Sequence, residues 1–199
     1  MIAAAKIPMR MSVQEFLDWD SADGGVWQLV DGAPQAMAPP KRTHGALQGE
    51  LSRIIGNHLA ELQSPCSVVI TPGVIPRVRS DYNFRIPDLA VTCSPYEAEE
   101  SALTDPVVIV EILSPSNQAE TWANIWTYAT IPSVREILIL HTTHVRAEVL
   151  RRGPDTIWPE HPELIEGGIL KLDSIGFQAE LSTIYRTTRL GNSQPESAG

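Results

Sequence analysis

Apolar positions in this chain follow two rhythms, and the rhythm changes at Pro, Gly, Asn and Asp residues. Over 44–63, Leu47, Leu51, Ile54, Ile55, His58, Leu59 and Leu62 fall three and four apart. That spacing predicts an amphipathic helix with Thr43 as its N-cap. Short runs rich in β-branched residues then predict strands at 67–71, 74–79, 85–93 and 107–113. A second helix is expected from about Gln118 to Ala129, stopping before Ile131-Pro132, with a strand at 136–141 after it. Segments 145–151 and 156–158 read as a hairpin around Arg152-Gly153-Pro154-Asp155, and 170–172 with a short helix at 180–185 closes the pattern. Upstream, Ser12 with Glu15 in the capping-box position opens a short helix to Asp18. Trp27–Val30 and 34–37 flank Asp31-Gly32, a favoured tight-turn pair.

Helix followed by strands, helix and strands predicts an α/β (α+β) domain with a mixed central sheet flanked by helices and an N-terminal hairpin. The 199 residues suit one domain, taken as 11–187, with an extension at 1–10 and a disordered tail at 188–199. Hydrophobic residues make up 43% and charged residues 20%, the balance of a soluble globular chain. No run approaches the roughly 20 apolar residues of a spanning helix, so no membrane partner is expected. The N-terminus lacks a secretory pattern, and a cytoplasmic location is the expectation. Cys66 and Cys93 lie in apolar, strand-like segments without metal-ligand spacing and read as buried inert thiols rather than a redox pair. The net charge of −9 excludes broad non-specific affinity for nucleic acid, which would need a local basic patch.

Glu111 changes this picture, because it interrupts the run Val107-Val108-Ile109-Val110-Glu111-Ile112-Leu113. Such a run reads as a strand buried on both faces, where an unpaired charge is costly. Asp88 stands at the mouth of another apolar strand, in Pro87-Asp88-Leu89-Ala90-Val91. Two acids entering a core from neighbouring strands suit a hard divalent cation. Glu50, on the first helix near Leu47, Leu51 and Ile54, is a third carboxylate placed to assist directly or through water. A structural alternative pairs Glu111 with Arg85 or Arg135. His44 reads as a helix-start or core hydrogen-bonding residue. His141 and His144 have no partners at metal-binding spacing, and Trp122 and Trp126 read as packing or an interface.

The order of these pieces resembles the PD-(D/E)xK nuclease superfamily, and within it the bacterial Uma-type restriction endonucleases. The resemblance runs from about Met11 to Arg186. It is carried by Leu29-Val30-Asp31-Gly32, the His44 helix, Pro87-Asp88, Glu111-Ile112-Leu113-Ser114-Pro115-Ser116, Tyr128 and Ile184-Tyr185. It implies a restriction-endonuclease-like core and an Mg²⁺- or Mn²⁺-dependent endonuclease acting on nucleic acid, DNA foremost. Asp88 and Glu111 are the implied metal ligands, and a homo-oligomer is implied as the assembly.

Two positions depart from that pattern. A Lys is expected two residues after the second acid, where Leu113 stands, or else four residues before the Tyr, where Asn124 stands. Asn124 can position a water or a phosphate oxygen but carries no charge. The chain has three lysines, Lys6, Lys41 and Lys171, and of the basic residues nearby Lys41 and Arg42 precede the first helix. The missing Lys keeps a second function open: a catalytically degenerate nuclease-fold protein acting as a binding or assembly module.

Overall fold

The computed structural model describes residues 10–22, 24–95, 97–115 and 118–191. Helix α1 (Val13–Leu17) starts at a complete Ser12/Glu15 capping box. Strands β1 (Trp27–Val30) and β2 (Ala33–Ala36) form the expected hairpin. Both of its turn residues, Asp31 and Gly32, have positive φ, as a type I′ turn requires. Next come α2 (Arg42–Glu61), β3 (Ser67–Ile70), β4 (Leu89–Thr92), β5 (Pro106–Leu113), α3 (Gln118–Tyr128), β6 (Glu136–His141), β7 (Ala147–Arg151) and β8 (Glu163–Ile165). The chain closes with β9 (Ile169–Leu172), β10 (Phe177–Glu180) and α4 (Leu181–Tyr185).

Strands β3 to β8 form one six-stranded sheet in sequence order, antiparallel except where β5 and β6, joined through α3, run parallel. That central pair is also the most apolar: every residue of β6 and all but one of β5 are buried, because helices cover both faces. On one face Leu47, Leu51, Ile55 and Leu59 of α2, four residues apart, pack with α4 on Leu89, Val91, Val110, Ile112 and Leu138. On the other, Ile125 and Tyr128 of α3 pack on Ala90, Ile109, Leu113, Ile137 and Ile139. Alternation along β5 puts Glu111 on the α3 face, between Ile109 and Leu113. Among the described residues no helix is long and apolar enough to cross a membrane.

The structure corrects several expectations. The first helix begins at Arg42, with Lys41 as an N-cap that makes no side-chain bond, so Thr43 lies inside it. Segment 74–79 is not a strand: Val74 makes one bridge to Arg85, Pro76 has no N–H to donate, and Arg79 sits at φ 48°. The partner of β7 is β8 rather than 156–158, since Thr156 at φ 67° and the Gly153 N–H bond to the Ile157 carbonyl curl that segment into a turn. Thr188 is buried and donates to the Tyr185 carbonyl, so the start of the expected tail is packed. The rest of it, from 192, and residues 1–9 lie outside the described residues.

The largest correction concerns the cysteines. Cys66 and Cys93 form a disulfide between β3 and β4, directly beyond the Ser67/Thr92 pair. Sequence periodicity placed both thiols on strands but could not see that antiparallel pairing sets them opposite each other. A bond closing 27 residues restricts the unfolded chain. Reduction, or Cys66→Ser/Cys93→Ser, is therefore expected to cost roughly 3 kcal/mol in urea unfolding. An unchanged midpoint would contradict this.

Candidate active site

The register of β4 on β5 pairs Leu89 with Val110, which brings Asp88 beside Glu111. The Asp88 carboxyl is close enough to act on Glu111 electrostatically. Glu111 is 7% exposed, and the Tyr128 hydroxyl donates to its Oε1 at 2.8 Å. Asp88 Oδ2 accepts the Ile112 N–H at 2.6 Å, and its Oδ1 lies 3.1 Å from His44 Nε2. Gln48 Nε2 donates to the Asp88 carbonyl at 2.8 Å, so two early residues of α2 hold this corner of the sheet. Burial first, and the Asp88 charge second, push the Glu111 pKa well above the ordinary glutamate value, against the opposing Tyr128 hydrogen bond. Burial and then Glu111 push Tyr128 upward as well, so its hydroxyl stays a donor.

Helix α3 presents three polar residues to this region at four-residue steps: Glu120, Asn124 and Tyr128. Glu120 Oε1 accepts from Gln28 Nε2 at 3.1 Å. Asn124 Oδ1 accepts from Arg85 Nη1 at 3.0 Å, while Arg85 Nη2 donates to Asn83 Oδ1 at 3.1 Å. Arg85 is buried, which lowers its pKa. Glu120 is close enough to influence both Glu111 and Arg85.

The site thus gathers Asp88, Glu111 and Asn124. Glu50, expected to assist, is corrected: its carboxylate is bonded by Arg53 and Arg186, which lower its pKa to about 2, and it ties α2 to the end of α4. Neither arginine considered for Glu111 pairs with it. Arg85 turns to the two amides, and Arg135 is exposed. Leu113 lines a cavity of about 190 Å³ with Gln118, His141 and His144, and His141 is paired with Glu148 at 2.8 Å. A larger concavity at Val74, Leu103 and Ile131 contains none of these acids. Sequence reasoning missed His44 as the partner of Asp88, Arg85 as the buried cation, and Glu120. The one readable signal was the four-residue step Glu120, Asn124, Tyr128.

A divalent ion fits the donor set. Two carboxyls stand side by side with no Lys or Arg bonded to either among the described residues, and Mg²⁺ or Mn²⁺ commonly takes one or two carboxylates and completes its shell with water and phosphate. No group of three or more His, Cys, Asp or Glu converges among the described residues, so Asp88 and Glu111 are the protein's offering.

A raised native pKa means that Glu111 adds stability below the ordinary glutamate value, 4.5, and that this is lost as pH rises toward the native value. Glu50, with its pKa lowered to about 2, acts oppositely: its contribution is present above 4.5 and lost as pH falls through about 2, so it is constant above pH 5. Metal-free protein is therefore expected to lose melting temperature as pH rises above 4.5 more steeply than Glu111→Gln. Parallel curves in thermal scans would show that Glu111 carries no such proton.

The family described as "Uma2: Putative restriction endonuclease" matches residues 13–183. The chain is 28% identical over 183 residues to the uncharacterized protein slr1290 of Synechocystis sp., covering 89% of this chain and 92% of that one. It shares its fold with a crystal structure of a "putative nuclease belonging to DUF820" from Anabaena variabilis. That likeness has a TM-score of 0.71 at 17% identity, over 88% of this chain and 97% of the other. With nearly the whole folded region matched, the chain belongs to the Uma2 family of "putative restriction endonucleases".

Proposed function

We propose that this protein is a divalent-metal-dependent endonuclease hydrolysing phosphodiester bonds of nucleic acid, with DNA as the substrate. The observation that carries this reading is the Asp88–Glu111 pair, two carboxyls placed side by side on neighbouring strands with no Lys or Arg bonded to either among the described residues. Asp88 and Glu111 would hold Mg²⁺ or Mn²⁺. When bound, the ion would polarise a phosphoryl oxygen and lower the pKa of a water. Tyr128 fixes Glu111, and His44 with the Ile112 N–H fixes Asp88. In the reaction a water oxygen bonds to phosphorus and releases a proton to solvent, one phosphorus–oxygen ester bond breaks, and the leaving oxygen takes a proton from solvent. Approach of a polyanion to a chain of charge −9 needs local basic groups. Lys41 and Arg42 supply them at the exposed start of α2, beside His44.

Leu113 and Asn124, neutral where the resemblance implies a Lys, favour a second reading in which the protein binds or assembles without cutting. A cytoplasmic location suits a nucleic-acid substrate, whereas the Cys66–Cys93 disulfide is unusual in a reducing compartment.

Supercoiled and linear DNA, single-stranded DNA and RNA, each with Mg²⁺, Mn²⁺ or chelator, form the test panel. Metal-dependent cleavage is expected, falling at least about 100-fold in Asp88→Ala. Cleavage equal in both proteins would refute the proposed site, and no cleavage on the panel with intact DNA binding would select the second reading. Exposed Trp126 on α3 and the sheet edges β3 and β8 also support self-association. Light scattering is expected to give at least a dimer mass, and a monomer at working concentration would exclude it.

A further inference from the structure

Among the described residues, Arg85 is the only Lys or Arg that is buried, at 7% exposure, and no carboxylate is ion-paired with it. Backbone bonds in both directions with Val74, at 2.8 and 2.9 Å, fix its place three residues before Asp88. Two amide oxygens align the guanidinium, Asn124 Oδ1 on one nitrogen and Asn83 Oδ1 on another. Asn83 is itself locked, donating to Asp31 Oδ1 and the carbonyls of Val78 and Arg79 while its oxygen also accepts the Asp31 N–H. The Arg85 Nε is buried with no hydrogen-bond partner. The acids whose fields reach Arg85 are engaged elsewhere, Asp31 with Arg79 at 3.0 Å and Glu120 with Gln28.

A buried guanidinium held by neutral groups is aligned but not neutralised, and it keeps its affinity for an anion. One helical turn along α3, Tyr128 holds Glu111 beside Asp88, a carboxyl pair to which no Lys or Arg is bonded among the described residues. The two sets of charge are separated by the Asn124–Tyr128 face of α3, with Asn124 on Arg85 and Tyr128 on Glu111. An anion that is also a ligand for a carboxylate-bound cation satisfies both groups together, and a phosphodiester is such an anion. The planar fork of Arg matches phosphate oxygens better than a point charge does.

We infer that Arg85 is the phosphate-binding cation of this site, contacting a non-bridging oxygen of the scissile phosphodiester and stabilising the charge that develops there during hydrolysis. Asn83 and Asn124 are positioning residues that align the guanidinium. The inference rests on the metal-nuclease reading for the reaction, but not for the binding of phosphate.

The test measures two quantities in wild type, Arg85→Gln and Arg85→Lys. One is Mn²⁺ binding by calorimetry. The other is affinity for a fluorescein-labelled DNA duplex by anisotropy, with Ca²⁺ and with chelator. Arg85→Gln is expected to weaken duplex binding at least about tenfold, with Arg85→Lys between it and wild type. Mn²⁺ should bind both variants as tightly as wild type or more tightly, since a nearby positive charge is removed or made more mobile. Equal duplex affinity in wild type and Arg85→Gln, or no duplex binding by wild type, overturns the inference while leaving the metal result to stand or fall separately. Loss of Mn²⁺ together with DNA also overturns it, because Arg85 would then act through the fold. Wild type that binds the duplex but no Mn²⁺, with the loss in Arg85→Gln, upholds Arg85 and refutes the metal reading. Should Arg85→Gln not fold, Asn124→Ala keeps the charge and removes one anchor. It is expected to weaken duplex binding with Mn²⁺ binding intact, and unchanged duplex affinity there overturns the inference.

Discussion

Asp88 and Glu111 stand side by side on neighbouring strands, and two like charges so placed, one of them buried, repel each other unless something compensates them. The native fold places them there regardless, because the β4/β5 register is set by the apolar residues on either side and leaves no other position for them. The surroundings manage the conflict without removing it. Tyr128 and the Ile112 N–H each donate to one carboxyl, and His44 reaches the other oxygen of Asp88. A proton on Glu111 relieves the repulsion in the metal-free protein, and a divalent ion would do so at neutral pH.

The apolar rhythm revealed most of the scaffold. Both long helices, the hairpin and the central strands stand where their spacing places them, because each buries a continuous face and no competing local signal intervenes. Failures occurred where pairing depends on partners far along the chain. Segment 156–158 reads as a strand, yet β7 instead pairs with β8, seven residues further on and mostly exposed. Cys66 and Cys93 have ordinary strand surroundings, and only cross-strand register makes them neighbours.

The candidate site shows the same division. Asp88 and Glu111 were readable because a charge inside an apolar run violates a local rule. Arg85 precedes Pro87-Asp88 as one more polar residue, and nothing nearby shows that it is buried or that Asn124, 39 residues on, will hold it. His44 had the character of a helix-start residue, and its bond to Asp88 spans α2 and the sheet. Glu50 misled for the converse reason. Its place on the buried face of α2 pointed inward, but Arg186, 136 residues away, claims it.

Two groups of opposite character meet one face of α3: the carboxyl pair, through Tyr128 on Glu111, and the Arg85 guanidinium, through Asn124. Buried groups with strongly perturbed titration cluster at functional sites, which is the ground of the proposed metal site. The measurement that tests this most directly is a Mn²⁺ titration followed by electron paramagnetic resonance, on folded wild type and folded Asp88→Ala/Glu111→Ala. The account requires a stoichiometric site in the wild type that is absent from the variant. Wild type that takes up no Mn²⁺ at millimolar concentration, or a variant that binds it equally well, would contradict it.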